Sequence, residues 1–170
     1  MSNRWKNIVQ LGLEKLALAM ASLAIAGMIG IVGIIVTSVV MRKFANTPLH
    51  VTEEVVGLLL SATLFLGLPM VTLKARHVRV SLLSDRLSGR HHDVIQIMAL
   101  FIGVLLFAWL ITDALPWWEF AYRLDLKTET TRILLYPWMA VLPLSLTVTG
   151  LIYLARLTGM IDRIDDSSEL

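Results

Sequence analysis

Apolar positions in this chain gather into four blocks with polar residues between them. Residues 16–41 run for 26 positions without a charge, and 55–73, 94–112 and 133–155 follow with 19, 19 and 23. About 20 predominantly apolar residues are enough for a helix to cross a bilayer. Backbone polar groups in hydrocarbon must be satisfied within the segment, so each block predicts a transmembrane helix. The expected fold class is therefore all-α, an integral membrane bundle of four transmembrane helices with short interfacial helices, with residues 1–170 as a single domain.

Arg4 and Lys6 ahead of the first block, and small residues at 21–24, also suit a cleavable signal peptide. The apolar run continues 17 residues beyond that point, further than the roughly 7–15 residues of such a segment. An uncleaved first helix is the expectation. Composition agrees with a membrane protein: 56% of residues are hydrophobic and 16% charged. The absence of cysteine removes disulfides and thiolate chemistry.

The basic residues set an orientation. Arg4, Lys6, Lys15, Lys74, Arg76, Arg79, Arg86, Arg90, Arg156 and Arg163 share one side of the four-span layout, against Arg42, Lys43, Arg123, Lys127 and Arg132 on the other. Cytoplasmic loops carry the excess of Lys and Arg, so both termini and the 74–92 loop are assigned to the cytoplasm. In that loop Val78, Leu82, Leu83 and Leu87 recur at helical spacing, which suggests a short amphipathic interfacial helix with Arg79 among its anchors, although the alternation in "HVRVSL" would also suit a strand. A net charge of +2 and the lack of interleaved aromatic residues argue against nucleic acid as a partner.

The histidines lack the spacing of a metal site: His91 and His92 are adjacent rather than a turn apart, and His50 and His77 are predicted on opposite sides of the membrane, so a solvated or headgroup-facing role is expected for all four. None of the blocks contains a histidine for haem ligation, and no cofactor or catalytic set is visible. The blocks also lack Asp, Glu, Lys and Arg. Ion pathways and intramembrane substrate sites usually need such residues at mid-depth, so a partner-binding subunit is expected rather than a transporter or enzyme acting alone.

Candidate contact surfaces lie on the helices and at their ends. Ser22, Ala26 and Gly30 recur every four residues, a stripe that would let another helix backbone approach closely. Thr47 before Pro48, or Thr52, could start the second helix, and Glu53 and Glu54 then sit where the helix dipole favours acids. The other reading of this pair is an ion pair across helices with Arg42 or Lys43. The segment 113–132 is long enough for a surface helix, and Trp117, Trp118, Tyr122, Tyr136 and Trp138 flank the third and fourth blocks as an aromatic belt at headgroup level would. Pro69 and Pro143 are expected to bend the second and fourth helices.

The order of residues in "VVMRKFANTPLHVTEEVVGLLLSATLFLGLPMVTLKARHVRVSLL" resembles the small membrane subunit of tripartite ATP-independent periplasmic (TRAP) transporters, the DctQ-like family. Arg42, Asn46, Glu53, Glu54, Gly67, His77 and Val80 match that family's pattern in order and approximate spacing, and "LLYPWMAVLPLSL" resembles its proline-punctuated last helix. Two departures are Ser81, where the family often has Asp, and His50 or Val51, where it often has Trp. The resemblance implies a large multi-helix membrane subunit that carries the substrate, a periplasmic substrate-binding protein that delivers it, and an ion gradient, usually sodium, that drives uptake of cargo such as organic acids. The small subunit would be a scaffold in the bacterial inner membrane and a docking surface for the binding protein. The alternative from the residues alone is a non-transport four-helix membrane anchor or regulatory subunit.

Overall fold

The computed structural model describes residues 3–45, 51–74 and 90–158. Four helices account for most of them: α1 (Asn3–Ala45), α2 (Val51–Lys74), α3 (Arg90–Arg123) and α4 (Tyr136–Leu157). Each contains a window long and apolar enough to cross a membrane. The all-α architecture with four spanning helices is thus the one expected.

Two helices outrun the blocks that announced them by about four turns or more. At about 1.5 Å per residue, the 43 residues of α1 extend roughly 64 Å and the 34 of α3 roughly 51 Å, against a hydrocarbon core of about 30 Å. The surface helix expected after residue 112 is not a separate element, because α3 continues through Pro116 to Arg123. Proline removes one backbone bond, here to the carbonyl of Thr112. That carbonyl lies at the edge of the charge-free block, where water can replace the lost donor.

Packing arranges the helices in a row, in the order α1, α2, α4, α3. α1 packs along α2, α2 against α4, and α4 against α3, while α1 and α4 share a slim contact. On α1 the residues facing inward are Ala17, Met20, Ala24 and Gly27, spaced three and four apart. Gly27 lies directly against the Thr63 methyl group of α2, leaving no room for a Cβ. Between α3 and α4 the same device recurs twice: a Cβ on Gly103 would meet the Tyr153 ring at 2.8 Å, and one on Gly150 would meet Phe107 at 3.4 Å. The Phe107 and Tyr153 rings then meet at a tilt of 31° with a centroid distance of 5.2 Å.

Between α2 and α4 the joint is polar. Pro69 has no N–H for the carbonyl of Phe65 one turn earlier, and the Ser145 hydroxyl of α4 donates to that carbonyl instead. At the end of α2 the carbonyls have no helical partner, and Nη2 of Arg156 donates to the one on Leu73 at 2.6 Å. Ser145 and Thr149 are fully buried and Arg156 is 7% exposed. Met20, Val148 and Ile152, with Leu13, Leu66 and Leu73 against them, form the apolar cluster where α1, α2 and α4 meet.

Candidate partner-binding surfaces

The residues singled out in the sequence divide by position. Ser22 and Ala26 are exposed, and a Cβ built on Gly30 meets nothing within 4 Å. On a helical wheel this stripe sits roughly 140° around α1 from the Ala17, Met20, Ala24, Gly27 face that packs on α2. Among the described residues it packs against no other helix. Gly67 on α2 is likewise open to a Cβ. His77, Arg79 and the proposed interfacial helix around them lie outside the described residues, as does Thr47.

Glu54 is used, in a way neither sequence reading foresaw. After α3 the chain turns back through residues 124–135, where Lys127 and Leu134 form an isolated antiparallel bridge and the Leu135 amide donates to the Leu126 carbonyl at 2.8 Å. Asp125 and Arg132 adopt φ of 45° and 52° to make the turns, a left-handed conformation that side chains other than glycine rarely take. From the first turn of α2, Glu54 reaches into this hairpin. Its Oε1 accepts the Thr130 amide at 2.7 Å, and its Oε2 accepts the Thr131 amide at 2.9 Å and the Thr131 hydroxyl at 2.7 Å. Thr128 extends the network to the Thr131 hydroxyl at 2.5 Å and accepts the Ile133 amide at 3.1 Å.

Every group on the Glu54 carboxylate is a donor, which suits an ionised acid that can only accept. Among the described residues Glu54 makes no ion pair with Arg42 or Lys43. Arg42, Lys43 and Glu53 are exposed. Thr52, the alternative helix start, lies inside α2, and its hydroxyl donates to Ser38 of α1 at 3.1 Å. Sequence reasoning missed the threonines at 128, 130 and 131; the only signal was their density in "KTETT" before the last block.

The aromatic residues also separate. Trp118 stacks on Tyr122 at 6.0 Å, and Tyr122 meets Tyr136 edge-on at 5.5 Å, so these rings tie the end of α3 to the start of α4. The Trp118 indole nitrogen is enclosed. Trp138 is half-buried on α4. Trp117 instead points outward, 63% exposed, with Phe120 edge-on to it.

A long four-helix membrane chain with one of its acids clamping an extramembrane hairpin is the geometry on which the comparison with known families bears. Residues 31–163 match the model of the family described as tripartite ATP-independent periplasmic transporters, DctQ component. The chain belongs to this family. The match takes in everything from the last third of α1 to beyond α4, including the Glu54 clamp and the Ser145 and Arg156 joints. No curated protein and no solved structure matches the chain. As a DctQ component it is a TRAP transporter small membrane subunit and a multi-pass membrane protein.

Proposed function

We propose that this DctQ component is the scaffold for the large membrane subunit of its transporter, and a docking surface for the periplasmic substrate-binding protein. The observation that carries the first part is the unused Ser22, Ala26, Gly30 stripe. Ala17, Ala24, Gly27, Gly103 and Gly150 sit in the chain's own helix contacts, whereas this stripe stays open, as do the isolated positions Gly12, Gly33, Gly57 and Gly67. Without a hydrophobic driving force in lipid, helices associate through close backbone approach, which small residues permit. The four charge-free blocks support the same reading, since they leave the carrying of a charged substrate to a partner.

In this reading the protein sits in the inner membrane with both termini in the cytoplasm, from the ten-to-five division of its basic residues. The hairpin at 124–135 and the start of α2, joined by Glu54, then face the periplasm on the binding protein's side. A sodium gradient and an organic-acid cargo are the family's usual pattern. The membrane partner is the large subunit and the surrounding lipid is the solvent; nucleic acid has no place in the reading.

Co-purification tests the scaffold. Tagged small subunit, co-expressed with the large subunit of its own system, retains it in mild detergent, and Gly30→Leu, alone or with Ala26→Leu, lowers recovery while membrane insertion is unchanged. Equal recovery from the variants would assign the stripe to lipid. Reconstituted alone the small subunit gives no uptake, and gradient-driven uptake by it alone would refute the scaffold role.

A further inference from the structure

The connection between α3 and α4 is longer and more tightly held than joining two neighbouring helices requires. The rings of Tyr122 and Tyr136 already meet at 5.5 Å, yet residues 124–135 run between the helices. About 2–8 residues are usual for such a connection. Asp125 and Arg132 hold left-handed conformations that cost them free energy. Among the described residues, the hydrogen bonds that tie this hairpin to a helix other than the two it joins all go to Glu54 of α2.

The bundle does not need this clamp to hold together. α2 and α4 are joined at Ser145 and Arg156, and α3 and α4 pack closely at Gly103 and Gly150. What Glu54 fixes is the position of the hairpin beside the first turn of α2. Asp125, Lys127, Glu129 and Arg132 are exposed on it, and none is in an ion pair among the described residues. Two acids and two bases give no net attraction to a lipid surface; held at fixed positions, they suit the mixed charges of a folded soluble protein.

We infer that Glu54 is a positioning residue for docking: it presets the 124–135 hairpin to receive the periplasmic substrate-binding protein. A loop ordered before the encounter loses less freedom on binding, and one that holds the receptive shape about a tenth of the time binds about tenfold more weakly. With the carboxylate gone, the Thr130 and Thr131 amides lose their acceptor and the two left-handed residues are free to relax. The inference rests on the docking part of the reading above and gives it an element and a residue.

Uptake by the reconstituted transporter, with the large subunit, the small subunit and the binding protein of one system, tests it. Glu54→Ala raises the concentration of binding protein that gives half-maximal uptake on the order of tenfold, and Glu54→Gln, which keeps one acceptor oxygen, raises it less. The maximal rate at saturating binding protein and the recovery of the two membrane subunits together stay as they are with Glu54 intact. An unchanged half-saturation would overturn the inference, as would a lower maximal rate in its place or loss of the membrane complex. A second measurement leaves Glu54 untouched: p-benzoylphenylalanine at position 129 crosslinks to the binding protein in cells that produce all three components. Crosslinks to it from position 44 or 53 but not from 129 remove this inference and leave the docking reading intact, whereas none from any of these positions removes both.

Discussion

α2 and α4 on one hand, α1 and α3 on the other, are built from similar material and treated oppositely. α1 and α3 carry the more apolar windows, yet 6% and 0% of those windows are buried within the chain, against 22% and 39% for α2 and α4. In water the order would be reversed. Lipid is as apolar as a leucine side chain, so apolarity alone gives no reason to turn inward, and what turns inward is small residues that allow close approach and polar groups that find partners there. Among the described residues Thr63, Thr72, Ser145, Thr149 and Arg156 are the buried polar ones, all on α2 and α4. The inner pair is held by hydrogen bonds to freed carbonyls, and the outer pair by close approach at glycines.

The largest expected effect that separates the pairs is at Arg156. Arg156→Ala leaves the Leu73 carbonyl without its donor and opens space beside it, a loss of about 3 kcal/mol in unfolding measured in mixed micelles. Trp109→Ala removes a larger side chain from α3 but changes the isolated chain by less than about 0.5 kcal/mol, because the ring is 66% exposed. Equal losses at the two sites would erase the distinction between inner and outer helices.

Next in size is a pair of glycines three residues apart on α1. Gly27→Leu has no space beside Thr63 and destabilises the α1–α2 contact by about 2 kcal/mol, whereas Gly30→Leu stays within about 0.5 kcal/mol in the absence of the large subunit. Thermal unfolding of the two purified variants makes the comparison.

A smaller effect, about 1 kcal/mol, is expected for Ser145→Ala, which orphans the Phe65 carbonyl. Pro69→Ala returns an N–H to that carbonyl, so the cost of Ser145→Ala shrinks in its background. A double-mutant cycle that comes out additive would mean the hydroxyl does not answer the proline.

The smallest effect on the whole chain is local to the hairpin. Glu54→Ala frees the amides of Thr130 and Thr131, and their hydrogen exchange quickens on the order of tenfold while the helices keep their protection. Arg42→Gln leaves these amides unchanged, and the two substitutions together add. An Arg42→Gln variant that loosened the hairpin as Glu54→Ala does would restore the ion-pair reading of Glu54.

The number of helices and their class were legible in the chain because transfer into hydrocarbon is a sum over one contiguous segment, and the blocks at 16–41, 55–73, 94–112 and 133–155 each carry that sum locally, while the family was legible only as a resemblance in the order of residues from Arg42 to Val80. The ends of α1 and α3 were less legible, since a helix can outrun its apolar block wherever no turn residue stops it. Helix faces were not legible at all. In a segment apolar on every side, the Ala17–Gly27 face that packs and the Ser22–Gly30 face that stays open look alike, and only the position of α2 tells them apart. The polar partners were hidden for a different reason. Glu54 meets Thr131 across 77 residues, Ser145 meets Phe65 across 80, and Arg156 meets Leu73 across 83. Hydrogen bonds of that reach carry no periodic trace in the chain, because they depend on which carbonyl a proline or a helix end has freed and on which neighbouring helix stands beside it.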